Sequence, residues 1–121
     1  MFKVHCLDHI VLKTTNMDAM LKFYRDVLNC PVIKETPFAM HLGVGEQLID
    51  LVNVDKKLTE KNLHHFCLRI TPYHYEDLKA CFLKYGIAVY GYAERGNSQG
   101  PGWSFFIKDP EENVIELSEN K

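Results

Sequence analysis

At 121 residues and 14.0 kDa, with a net charge of −2, the chain has the size of one domain and lacks the basic excess of a nucleic-acid binder. Hydrophobic residues make up 46% and charged residues 25%, ordinary proportions for a globular protein, and no apolar run reaches membrane-spanning length. The start, Met1-Phe2-Lys3-Val4-His5-Cys6, lacks the apolar stretch of a signal peptide. Cys6, Cys30, Cys67 and Cys81 form no C-x-x-C pair, so they read as reduced thiols of a cytoplasmic protein.

Residues 7–14 are β-branched and apolar and too short for a helix, which predicts a strand. Asn16 suits the N-cap of a following helix, in which Met17, Met20, Leu21, Tyr24 and Leu28 recur at three- and four-residue steps. That helix should end near Asn29, because Pro31 forbids its continuation. Extended runs follow at 32–36, 38–44 and 47–54, with turns at Thr36-Pro37 and Gly45-Glu46. Residues 55–63 are charged and aperiodic and read as a linker. A strand at 64–71 and a helix marked by Tyr75, Leu78, Phe82 and Tyr85, stopping at Gly86, begin the next stretch. Residues 87–94 look extended, and the glycine-rich 95–102 reads as a mobile loop. Strands at 103–108 and 113–118, joined through Asp109-Pro110-Glu111-Glu112, complete the order βαβββ, linker, βαβββ.

The two halves repeat one another. His9-Ile10-Val11-Leu12-Lys13 matches His65-Phe66-Cys67-Leu68-Arg69 type for type, and Leu48-Ile49-Asp50-Leu51 mirrors Val114-Ile115-Glu116-Leu117. Each half, about 5–54 and about 64–118, thus carries a histidine early on its first strand and a carboxylate on its last. Side chains alternate across a strand, so His9 opposes Ile10 and Leu12, Asp50 opposes Ile49 and Leu51, His65 opposes Phe66 and Leu68, and Glu116 opposes Ile115 and Leu117. The apolar sets must cover the helices, which leaves all four polar residues on the other sheet face. A carboxylate among apolar strand residues is costly to bury unless it is paired or metal-bound, and two carboxylates with two imidazoles suit a divalent transition metal. The fold class expected is α+β, with two βαβββ modules forming a curved mixed sheet and helices on its outer face.

On Leu7-Asp8-His9-Ile10-Val11-Leu12, Phe23-Tyr24-Arg25-Asp26-Val27-Leu28, His65-Phe66-Cys67-Leu68 and the closing Phe106 to Leu117, the chain resembles the vicinal oxygen chelate superfamily. That group includes glyoxalase I, methylmalonyl-CoA epimerase, fosfomycin-resistance thiol transferases, extradiol dioxygenases and bleomycin-binding proteins. The string Asp109-Pro110 before Glu116 is its most specific element. The resemblance implies metal positions at His9, Asp50, His65 and Glu116, with Asp50 standing where glutamate or glutamine is commoner. It also implies one divalent metal per site (zinc, nickel, manganese or iron), a small-molecule substrate, and a homodimer whose sites are shared between chains.

Such a set leaves two adjacent metal positions open to a substrate with vicinal oxygens. The metal then acts as a Lewis acid while a carboxylate takes a proton, Glu116 first and Asp50 second by family analogy. The reading is a glyoxalase-like lyase or isomerase. A non-haem iron dioxygenase would need only two histidines and one carboxylate, and a ligating Asp50 would occupy a position that oxygen chemistry needs. A metal-free binding or resistance protein of the bleomycin-binding type would not require all four ligand-type residues. His5, His41 and His74 lack repeat partners and read as surface or strand-end histidines, His64 as structural, Tyr24 as core and Trp103 as packing. Lys13 and Arg69 share the parity of the histidines and are the cations available to an anionic substrate.

Overall fold

The computed structural model describes residues 2–56 and 59–121. The chain divides into two compact units, Met1–Asn62 and Leu63–Lys121. The first contains β1 (His9–Thr14), α1 (Met17–Leu21), a π-helical continuation (Lys22–Val27), β2 (Val32–Glu35), β3 (Ala39–Val44) and β4 (Gln47–Asn53). The second contains β5 (Phe66–Ile70), α2 (Tyr75–Lys84), β6 (Tyr90–Glu94), β7 (Trp103–Lys108) and β8 (Val114–Glu119). Each unit is a four-stranded mixed sheet, in the orders β1-β4-β3-β2 and β5-β8-β7-β6, with the first and last strands parallel and the remaining pairs antiparallel. The α+β architecture of two βαβββ modules is the one the sequence pattern predicts.

Burial follows the alternation. Leu12, Leu42, Ile49 and Leu51 are buried with Met20, Phe23 and Tyr24 of the first helix. Phe105, Ile107, Ile115 and Leu117 are buried with Phe82 of α2, and both Tyr75 and Phe82 meet the Phe105 ring edge-on, at 5.5 and 6.2 Å. Each such aliphatic or aromatic side chain contributes about 1.5–3 kcal/mol on burial, enough to fix which face of each strand turns to its helix.

The structure departs from the sequence reading in three places. The first helix begins as predicted, with the Asn16 side chain accepting from Ala19 N at 3.1 Å, and ends at Asn29, whose φ of 59° is the left-handed stop. It does not stay α-helical, however: the wider π turn accompanies burial of two consecutive rings, Phe23 and Tyr24, packed edge-on at 5.0 Å. Asn62, read as linker, instead brackets the edge strand β1, accepting from Lys13 N at 3.0 Å and donating to Lys13 O at 3.2 Å. Lys57 and Leu58 of the 55–63 linker lie outside the described residues. Residues 95–102, read as a mobile loop from their glycines, form a hydrogen-bonded hairpin. Asn97 and Gly100 exchange backbone bonds at 3.0 Å, and Asn97 Nδ2 donates to Ser118 Oγ at 2.7 Å and Glu119 O at 3.0 Å. Glycine content reports conformational freedom, while these polar side chains supply the ties. No described helix is long and apolar enough to cross a membrane.

Candidate metal centre

In the first unit, Asp50 lies opposite Val11 of β1 and His41 of β3. His9 is two residues before Val11 and shares that face. Its Nε2 stands 3.8 Å from Asp50 Oδ2, and its Nδ1 is bonded to Asp8 Oδ2 at 2.7 Å. An ionised carboxylate can only accept, so Nδ1 carries the proton, and Nε2 of the neutral ring keeps its lone pair. The Asp8 bond is the main reason the His9 pKa is raised; desolvation opposes it, and the charges of Asp50 and Asp8 add smaller increases. A proton therefore competes for the position a metal would take.

The second unit repeats the construction. Glu116 lies opposite Cys67 of β5 and Phe106 of β7, and His65, two residues before Cys67, turns Nε2 to Glu116 Oε1 at 3.4 Å. Here the preceding residue is His64, whose Nδ1 lies 2.7 Å from His65 Nδ1. One of the two nitrogens must donate and the other accept. If His65 Nε2 is to bind a metal, His65 Nδ1–H is the donor and His64 Nδ1 the acceptor. Asp50 and Glu116 are both buried, while His9 and His65 are partly exposed.

Two donors each about 2.1 Å from one divalent ion stand about 3.0 Å apart at a right angle and about 3.4 Å apart at the tetrahedral angle. The His65–Glu116 separation of 3.4 Å matches the tetrahedral value, and the His9–Asp50 separation of 3.8 Å is wider, so that pair would have to draw together on an ion. Among the described residues, no group of three or more His, Cys, Asp or Glu side chains forms a complete metal cluster. Each unit offers a two-donor half-site.

The turn before β8 sets the position of Glu116. Asp109 is buried and its Oδ1 accepts from Glu111 N and Asn113 N, both at 2.9 Å, while Oδ2 accepts from Asn113 Nδ2 at 2.8 Å. Glu112 takes the left-handed φ of 63° that closes the loop. The Asp-Pro motif is thus a register device, pairing Lys108 with Val114 and so Phe106 with Glu116.

Sequence reasoning missed His41, which is not a stray surface residue: its Nδ1 lies 2.7 Å from Asp50 Oδ1. The signal was present. Counting outward from the Gly45-Glu46 turn, Val44 pairs with Gln47 and His41 with Asp50. It also missed Asp8, and His64, read as structural, stands against His65. His5 and His74 are exposed, as expected. Trp103 packs as predicted, stacked at 4.8 Å on Tyr92, which stacks at 3.6 Å on Tyr75 of α2. Cys67 is exposed as a residue, yet its thiol is desolvated enough, with Glu116 adding charge, to be pushed up to about 11. That makes it a poor nucleophile at neutral pH.

The family model of the Glyoxalase/Bleomycin resistance protein/Dioxygenase superfamily matches residues 6–117. The chain belongs to this superfamily. Members typically use a divalent metal. Among its relatives, the virulence protein STM3117 of Salmonella typhimurium is 28% identical over 93% of this chain and 83% of its own length. The glyoxalase domain-containing protein RDO1 of Mycosarcoma maydis is 30% identical over 95% of this chain and 68% of its own. The solved integron cassette protein VCH_CASS1 of V. cholerae superposes with a TM-score of 0.80 at 26% identity, covering 100% of this chain and 99% of that one.

Proposed function

We propose that this member of the glyoxalase superfamily is a metal-dependent lyase or isomerase acting on a small substrate with two vicinal oxygens. The observation that supports the reading is one construction made twice. Each unit holds a histidine by Nδ1 through the residue before it and turns Nε2 toward a buried carboxylate, at 3.8 and 3.4 Å. Two donors leave a divalent ion short of its usual four to six ligands. One ion is therefore assigned to both pairs, and by analogy with the short glyoxalase-like members of the family we place His9 and Asp50 on one chain and His65 and Glu116 on a second copy in a cytoplasmic homodimer.

A divalent ion bound there supplies Lewis-acid polarisation of the substrate oxygens. Glu116 is the residue that moves the proton: it takes one from the carbon beside the paired oxygens and returns it to the neighbouring carbon, leaving redox state unchanged. Its carboxylate makes no hydrogen bond among the described residues apart from the His65 approach. Asp50, by contrast, has Oδ1 engaged by His41 and is better suited to hold than to shuttle.

Elemental analysis of protein purified without chelators, followed by calorimetric titration with zinc, nickel, manganese and iron(II), tests the reading. The expected result is close to one ion per chain. A screen of 2-oxoaldehyde–thiol adducts and 2-hydroxycarbonyl compounds should then give turnover that chelation removes and Glu116→Gln abolishes. Absence of metal from the purified protein, with no uptake on titration, removes the enzymatic reading.

A further inference from the structure

The two carboxylates differ by one methylene, and the structure meets that difference with a residue the second unit lacks. Asp50 reaches less far than Glu116, and a short buried carboxylate has few rotamers that bring an oxygen toward a histidine on the next strand. Across β3–β4 the residue directly opposite Asp50 is His41; across β7–β8 the residue directly opposite Glu116 is Phe106. His41 is partly buried and its Nδ1 lies 2.7 Å from Asp50 Oδ1, while Asp50 Oδ2 is the oxygen that faces His9 Nε2. The carboxylate is thus divided, one oxygen anchored and the other presented. Phe106 makes no such bond; it sets its ring perpendicular to His65 at 6.0 Å.

We propose that His41 is a positioning residue: its Nδ1–H, bonded to Asp50 Oδ1, holds the shorter carboxylate so that Oδ2 is presented beside His9 Nε2 as a metal donor. The inference rests on the metal reading above for its consequence, but the bond itself does not. Because an ionised carboxylate only accepts, His41 must carry its proton on Nδ1. Asn places its amide nitrogen near the position of Nδ1, whereas Phe, the residue standing opposite Glu116, offers no donor.

Calorimetric metal titration of the full chain separates the possibilities. His41→Phe should bind zinc tenfold to a hundredfold more weakly, the cost of losing an outer partner of a ligand. His41→Asn should recover affinity to within about threefold of the parent, as a replacement donor keeps the bond. In an Asp50→Ala background, His41→Phe should add nothing further. Parent-like affinity in His41→Phe, or an undiminished effect in the Asp50→Ala background, overturns the proposal.

A metal-free measurement keeps the two readings distinct and does not depend on any variant folding. Long-range proton–nitrogen NMR of the parent chain should show the His41 proton on Nδ1, and a bare Nδ1 overturns the inference whether or not metal binds. A parent chain that takes up no metal but shows protonated Nδ1 would sink the enzymatic reading and the donor role of Asp50 Oδ2 with it. The parent chain binding metal while His41 Nδ1 is bare would sink only the positioning role.

Discussion

The two proposed half-sites bring a histidine to a carboxylate by different means. In the first unit a short carboxylate is propped by an imidazole across the hairpin and faces a histidine fixed by Asp8. In the second a longer carboxylate faces a histidine fixed by His64, with an aromatic ring where the prop would be. The difference separates two demands on a ligand carboxylate. An anchored oxygen is held still for coordination, while an unanchored one has the freedom to accept and release a proton. On the proposed reading, position in the repeat gives the donors, and the partner across the hairpin separates their roles.

The largest effects should come from breaking either half. Structural zinc contributes about 10–16 kcal/mol over four ligands, so one ligand is worth about a hundredfold to a thousandfold in affinity. His65→Ala and Glu116→Ala should each lose that much zinc affinity by calorimetry, with little change in the urea midpoint. Subunit mixing sharpens the comparison. His9→Ala and Glu116→Ala homodimers have only damaged sites, but their heterodimer carries one intact site and should regain metal binding. Exchange without recovery assigns each metal to one chain.

Converting the first half-site to the design of the second is a milder test. Asp50→Glu with His41→Phe reproduces the Glu116–Phe106 pairing and should bind metal more tightly than His41→Phe alone, by about three- to tenfold, on the scale of an outer partner's contribution. No gain in the pair would mean that the surrounding strands, rather than carboxylate length, set the donor position.

Much of this was legible in the sequence because it repeats. Strand parity placed His9 with Asp50 and His65 with Glu116, since a period of two leaves little freedom once one face is apolar. His41 was hidden by the same repeat: its counterpart is Phe106, so it looked like an orphan. Finding it required counting the register outward from Gly45-Glu46, which the hairpin turn encodes but the period does not. The π turn over Lys22–Val27 left no mark in the spacing of Met20, Tyr24 and Leu28, which suits an α-helix equally. In the 95–102 segment the glycines drew the eye from Asn97, whose amide does the fastening.

Stability should divide in the same way, with more of the second site resting on backbone devices. Asp109→Ala removes an acceptor for three donors around a buried turn and should cost about 2–3 kcal/mol by urea unfolding. Asp109→Asn should lose less. Gly91 has a φ of 68°, and a Cβ there would stand 2.9 Å from Phe106 Cδ2. Gly91→Ala should therefore cost about 1–2 kcal/mol and shift the ring resonances of Phe106. An unchanged Phe106 would show that β6 can yield without disturbing the wall beside His65.

The smallest effect concerns the residue on the other side of Glu116. Cys67 stands opposite Glu116 where Val11 stands opposite Asp50, so only the second unit carries a thiol that can report on its carboxylate. Desolvation is the main reason the thiol is pushed up to about 11, and the negative charge of Glu116 adds to it, because both disfavour the thiolate. Iodoacetamide should accordingly modify Cys67 slowly at pH 8 and faster as pH climbs toward that value, since only the thiolate reacts. Glu116→Gln removes the charge while keeping the shape, so the thiol should ionise more readily and the pH 8 rate should rise by about two- to fivefold. Arg69 pulls the other way, its positive charge favouring the thiolate, so Arg69→Gln should slow the same reaction. Peptide mass spectrometry of the Cys67 adduct over time reads both changes. A rate indifferent to Glu116→Gln would place the ionised carboxylate away from the sulfur and out of the position the β5–β8 register gives it.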